Sequence, residues 1–190
     1  FGVSAKYIDY LKNENFDSKN LDLSSIKIIT STGSTLAQES FKYVYDKIKQ
    51  DVHLASIAGG TDLVGCLVLG NLYSNVYKGE IQGQSLGIDV DVFLDNGKST
   101  KDGEQGELVV KKPFPSMPIK FWDDIDGKKY HKAYFSKFKN IWHHGDYIER
   151  TSNNGFIMRG RSDATLNPGG VRIGTSEIYQ QVEDIDFITE

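Results

Sequence analysis

The chain has 190 residues, enough for one sizeable core or two small units. With 38% hydrophobic and 25% charged residues it has the balance of an ordinary globular protein. A net charge of −4 argues against nucleic acid as the main partner, and no apolar run nears the roughly 20 residues that cross a bilayer, so no membrane partner is expected.

Cys66 is the only cysteine, which rules out an intrachain disulfide and any C-x-x-C motif. A reducing, cytoplasmic setting is the expectation. The chain opens at Phe1 without an initiator methionine and ends at Glu190 in an acidic, structured-looking stretch, so a piece of a longer protein is expected.

Val3, Tyr7, Tyr10 and Leu11 recur at helical spacing and predict a helix from about Val3 to Asn13. Ile26-Lys27-Ile28-Ile29 predicts a short buried strand. Thr35 and Gln38 have the spacing of a capping box, ahead of a helix with Phe41, Val44, Tyr45 and Ile48 on one face. Val52 to Ile57 predicts the next strand, which makes a βαβ unit with parallel strands. From about Leu86 the pattern changes to alternation: Ile88, Val90 and Val92 separate Asp89 and Asp91. Asn96-Gly97 suits a type I′ hairpin turn. Further strands are expected at Gly106 to Val110, Gly145 to Arg150 and Gly155 to Arg159, with a short helix within Lys128 to Phe138. Thr175 is placed to cap a last helix from about Ser176 to Glu183.

Ligands of open parallel sheets bind outside the carboxyl ends of the strands. Two hydroxyl-rich segments of small residues fall at such ends, Ser31 to Thr35 and Ala58-Gly59-Gly60-Thr61-Asp62. In the second, Thr61 suits a phosphate and Asp62 a hard cation such as Mg²⁺; the same residues also suit a plain Gly-rich turn with a helix cap. His143 and His144 are adjacent, so in a strand they point to opposite faces and do not form a metal pair. Arg161 and Arg172 lie in a Gly-rich span, Gly160 to Ile178, and are suited to phosphate or ribose oxygens.

That span resembles the G-R-x-D…G-x-R-I…E-I segment of the acyl-adenylate-forming superfamily of acyl-CoA synthetases, luciferases and peptide-synthetase adenylation domains. Phe114-Pro115-Ser116-Met117-Pro118, Tyr77 to Gln82 and Asp163 to Ile178 resemble its acetoacetyl-CoA synthetase branch. The resemblance implies an α/β fold, part of the superfamily's large domain. Residues 1–85 would end the nucleotide-binding α/β unit, 86–162 form a β-rich unit, and 163–190 hold the hinge and the root of a C-terminal domain. It also implies site roles. Gly33, Ser34 and Thr35 belong to the adenine turn; Gly60, Thr61 and Asp62 to the α-phosphate loop, with Asp62 on Mg²⁺ in place of the family's Glu. Asp146 in Trp142-His143-His144-Gly145-Asp146 would accept from the ribose hydroxyls, Arg161 would meet the ribose, and Arg172 the phosphates, acting with Thr61 in catalysis. Ala58 and Gly59 stand where acetate-activating relatives carry bulky aromatics, implying room for a larger acid; Asp163 would be the hinge.

The implied activity is an ATP-dependent ligase joining acetoacetate to coenzyme A through an acyl-adenylate. The superfamily's phosphate loop and its late catalytic lysine have no counterpart in these residues, so the piece alone is expected to be inactive. Ligation of another short acid and a non-catalytic nucleotide-binding module are the alternatives. Oligomeric state is not legible.

Overall fold

The computed structural model describes residues 1–164, 166 and 173–182. Its first unit is a parallel sheet in the order β1-β2-β3, formed by Gly2–Ser4, Ile28–Thr32 and His53–Ser56. Helix α1 (Ala5–Asn13) follows β1 directly, and Ser4 caps it by accepting from the Tyr7 N–H. Helix α2 (Gln38–Tyr43) continues into a π-helical turn, Val44–Ile48. Ala5, Ile8, Ile29, Phe41, Val44 and Leu54 close a compact apolar core between the helices and the sheet.

Three local expectations are corrected here. Val3 lies in a strand rather than a helix, because Gly2, Val3 and Ser4 pair with Thr30, Ser31 and Thr32 along the free edge of β2. That pairing, with β3 on the other side, also moves β2 past Ile26 and out to Thr32. The capping box does not form: Leu36 is drawn into the core, only 2% exposed, so α2 starts at Gln38 behind Ala37, which makes no side-chain cap.

The polypeptide then turns antiparallel. Strands β4 (Ala58–Gly60), β5 (Gly65–Leu69) and β6 (Gly83–Gln84) form one small sheet. The second segment of small residues is thus half strand, not loop throughout. Strands β7 (Val90–Phe93), β8 (Gln105–Val110), β9 (Trp142–Arg150) and β10 (Phe156–Arg161) form the second antiparallel sheet, in the order β10-β9-β8-β7. Reciprocal hydrogen bonds between Ile81 and Phe156 link the two sheets.

Leu63, Leu67 and Val68 share one core with Val92, Leu108 and Trp142, so residues before position 85 help to close the β-rich unit. The turn after β7 is not type I′: Asn96 has no positive φ, while Gly97 has φ +78°, its N–H bonding the Leu94 carbonyl. That is a type I turn closed by a left-handed glycine. Asp91 also departs from simple alternation, being buried beneath Arg150, Lys111 and Ser99, which satisfy its carboxylate. Helix α3 (Lys128–Tyr134) packs on β9, and α4 (Thr175–Val182) follows a bridge between Leu166 and Ile173. No described helix is long and apolar enough to cross a membrane.

Candidate active site

A cavity of about 570 Å³ opens where the β4–β5 hairpin meets the end of α3, the start of β9 and the end of β10. Gly59, Gly60, Thr61 and Asp62 form one wall; Tyr134, Lys132, Lys137 and His143 form another; Arg161 and Asp163 close the third. The topology explains the meeting. Strand β3 ends at Ser56, next to Ser31 of β2, and the chain passes straight into β4. The hairpin therefore stands at the carboxyl end of the parallel sheet, where such sheets place ligands.

Gly59 is held by the hairpin itself. A Cβ there would lie 2.0 Å from the Gly65 carbonyl oxygen, so β5 approaches only because no side chain intervenes. Ala58 packs against the second core and is absent from the cavity lining. At the hairpin tip Val64 has φ +48° and is 87% exposed, a conformation that costs a β-branched residue energy.

Asp62 is exposed at the mouth and accepts a hydrogen bond from the Tyr134 hydroxyl on Oδ2. Tyr134 lies flat on Trp142, with ring centroids 3.7 Å apart and planes 12° from parallel. Burial, and then the Asp62 carboxylate, push the Tyr134 phenol far above its usual value, so it stays a donor.

Asp146 sits behind the wall, 8% exposed and outside the cavity lining. Antiparallel register sets Arg161 opposite it, and the Arg161 Nη1 lies 3.1 Å from Asp146 Oδ1 and 3.3 Å from the His144 carbonyl. The guanidinium fits because Gly145, with φ +84°, offers no Cβ; one would sit 2.6 Å from Arg161 Nη2. Burial raises the Asp146 carboxyl above the ordinary range, and His144 and Arg161 only partly offset it.

His144 is held neutral by the same burial. The Trp142 indole N–H points at its Nδ1, 3.3 Å away, so Nδ1 accepts and the proton rests on Nε2. Nε2 in turn lies 3.6 Å from Asp146 Oδ2.

Glu107 on β8 is densely surrounded. Its side chain is 1% exposed, accepts from Lys137 Nζ at 2.5 Å, contacts His143 Nε2 at 2.9 Å, and accepts from the Ser162 hydroxyl. Burial alone raises this carboxyl, but the bonds from His143, Lys137 and Ser162 outweigh it and hold it at about 2. All three donors also line the cavity, so one buried carboxylate orders three lining residues. His143 and His144 face separate partners, as their adjacency in a strand requires.

Of the residues singled out in the sequence, the structure brings Gly59, Gly60, Thr61, Asp62, Arg161 and Asp163 together, with Asp146 just behind. Gly33, Ser34 and Thr35 follow β2 at the same end of the sheet without lining the cavity. Arg172, with Thr165 and residues 167–171, lies outside the described residues. Tyr134, Lys132, Lys137, His143 and Ser162 were not expected in the wall. Their helical and strand spacing reported only local structure, and Tyr134 meets Asp62 across 72 positions.

The wall joins cations (Lys132, Lys137, Arg161) to carboxylates (Asp62, Asp163), which suits an anionic ligand that carries a cation. No described group of three or more His, Cys, Asp or Glu side chains is placed to hold a metal alone. Asp62 has Oδ1 free of any protein partner among the described residues, a hard oxygen donor of the kind that divalent cations take.

The chain superposes on part of acetoacetyl-CoA synthetase from Streptomyces lividans with a TM-score of 0.91, at 40% identity, covering 100% of this chain and 30% of that one. The anthranilate CoA ligase AuaEII, in complex with anthranoyl-AMP, shares the fold at TM-score 0.78 and 18% identity, over 98% of this chain and 34% of that one. In sequence the chain is a homologue of acetoacetyl-CoA synthetases along its whole length. It is 57% identical over 191 aligned residues to that of Rhizobium meliloti (strain 1021) and 47% identical to that of Gallus gallus. Both alignments take in 100% of this chain, which spans 29% and 28% of the length of those relatives. No family model matches the chain.

Proposed function

We propose that this chain forms part of an ATP-dependent acid–thiol ligase converting acetoacetate, ATP and coenzyme A into acetoacetyl-CoA, AMP and pyrophosphate. The supporting observation is the cavity that unites Thr61 and Asp62 with Arg161 and Asp163, in a chain 57% identical throughout to a protein named acetoacetyl-coenzyme A synthetase.

In this reading the acid's carboxylate attacks the α-phosphate of ATP and pyrophosphate leaves; the thiol of CoA then displaces AMP from the acyl-adenylate. Thr61 donates to the α-phosphate, and its hairpin fixes where that phosphate lies. Asp146 and Arg161 take the ribose, Gly33, Ser34 and Thr35 lie along the adenine, and Arg172 meets the phosphates. Asp62 would hold Mg²⁺, which when bound spreads the charge growing on the phosphoryl oxygens. Most of the rate would come from positioning and from charges fixed beforehand. The division into 1–85, 86–162 and 163–190, with Asp163 as the pivot between the two half-reactions, belongs to the same proposal, as does a cytoplasmic location.

Preference for acetoacetate rests on the relatives rather than on Ala58 and Gly59, since the one packs into the core and the other is required by the hairpin. The test is AMP release by the full-length protein with ATP, Mg²⁺ and CoA, comparing acetoacetate with acetate, propionate and butyrate. Preference for acetoacetate is expected. Better turnover of another acid would overturn the substrate, and no turnover of any acid would overturn the ligase reading.

A further inference from the structure

We infer that Tyr134 is a positioning residue, one that presents the Asp62 carboxylate to the phosphates of the nucleotide and the cation they carry. The inference rests on the ligase reading above and adds to it a residue that no sequence pattern marked.

Three observations converge on this side chain. Tyr134 lines the cavity at the last position of α3. Its ring is clamped flat on Trp142, itself fully buried and in edge-to-face contact with Phe114, Tyr130 and Phe135. Its hydroxyl reaches Asp62 Oδ2. A phenol held on a rigid aromatic base fixes a donor in space more firmly than a flexible side chain does. Asp62 is otherwise an exposed carboxylate beside a hairpin tip, with no second side-chain hydrogen bond among the described residues. With Oδ2 engaged, Oδ1 remains as the open donor to a phosphate-bound cation. Asp is one methylene shorter than Glu, so its oxygen must be aimed, and the tyrosine aims it.

Tyr134→Phe keeps the ring and its stack and removes only the hydroxyl. Binding of α,β-methylene ATP, which does not cleave at the bond the ligase breaks, is measured by calorimetry on the full-length protein, with Mg²⁺ and with EDTA. Thermal unfolding is recorded alongside. The expected result is a loss of about five- to tenfold in affinity with Mg²⁺, no change in EDTA, and an unfolding midpoint close to wild type. Asp62→Asn should reproduce the loss, and adding it to Tyr134→Phe should cost little more, because the two act as one unit. An equal loss with and without Mg²⁺ would reduce Tyr134 to a structural part and overturn the inference. So would weak binding by Asp62→Asn beside wild-type binding by Tyr134→Phe, leaving the ligase reading intact. Failure of the wild-type protein to bind the nucleotide at all would overturn both.

Discussion

Arg161 and Asp146 face each other across the β9–β10 ladder, Nη1 3.1 Å from Oδ1, with the arginine half in solvent and the aspartate 8% exposed. The asymmetry matters. A carboxylate kept ionised behind the wall is costly for folding, while in the proposed reading it holds a ribose, so that reading sets function against stability here.

Asp146→Asn should therefore weaken AMP binding by the full-length protein roughly tenfold while leaving its unfolding midpoint unchanged or higher. Because burial raises this carboxyl in the folded state, its favourable contribution is greatest below the ordinary carboxylate pKa and is lost as pH rises through the raised value. Any stabilisation by asparagine should thus be largest at neutral pH and vanish in acid. A midpoint that falls at neutral pH would contradict this account of the burial cost.

Glu107 has the opposite sign. Its carboxyl drops from 4.5 to about 2 on folding, so the stability it supplies is complete above 4.5 and lost as pH falls toward 2. Glu107→Gln should cost roughly 2–4 kcal/mol in urea unfolding at neutral pH, because the amide has no charge and a single acceptor oxygen to serve Lys137, His143 and Ser162. The gap from wild type should narrow steadily below pH 4.5. A gap that stays constant with pH would mean that the cluster is not ionised as described.

Gly59→Ala separates two explanations of a small residue. If the hairpin requires glycine, a methyl aimed at the Gly65 carbonyl costs about 1–3 kcal/mol and lowers the melting temperature whatever acid is offered. If glycine serves only to admit a larger acid, acid preference shifts while the melting temperature holds. The geometry predicts the first.

Val64→Asn should raise stability by about 1 kcal/mol, since asparagine tolerates the left-handed conformation and an exposed valine loses little burial there. Thermal unfolding reads this directly, and a decrease would mean that Val64 makes a packing contribution its exposure does not show.

The parallel strands and the antiparallel unit were legible because β-branched runs and alternation report burial directly. So were the two halves of the ion pair, in Trp142-His143-His144-Gly145-Asp146 and in Gly160-Arg161-Ser162-Asp163; the turn at Asn153-Asn154-Gly155 folds one onto the other. Strand β1 was not, because three residues that pair with an open edge carry no pattern of their own. Nor was β4: consecutive small residues read as a loop, yet the missing side chain is what lets β5 come close. The contacts of Tyr134 with Asp62 and of Glu107 with Lys137, His143 and Ser162 are tertiary, and no local spacing announces them.

The most direct test is the structure of the full-length protein bound to AMP. The account predicts the ribose against the Asp146–Arg161 pair, with a hydroxyl about 3 Å from a carboxylate oxygen, and the α-phosphate at Thr61. A nucleotide bound elsewhere, with the pair unchanged and the hairpin cavity empty, would contradict it.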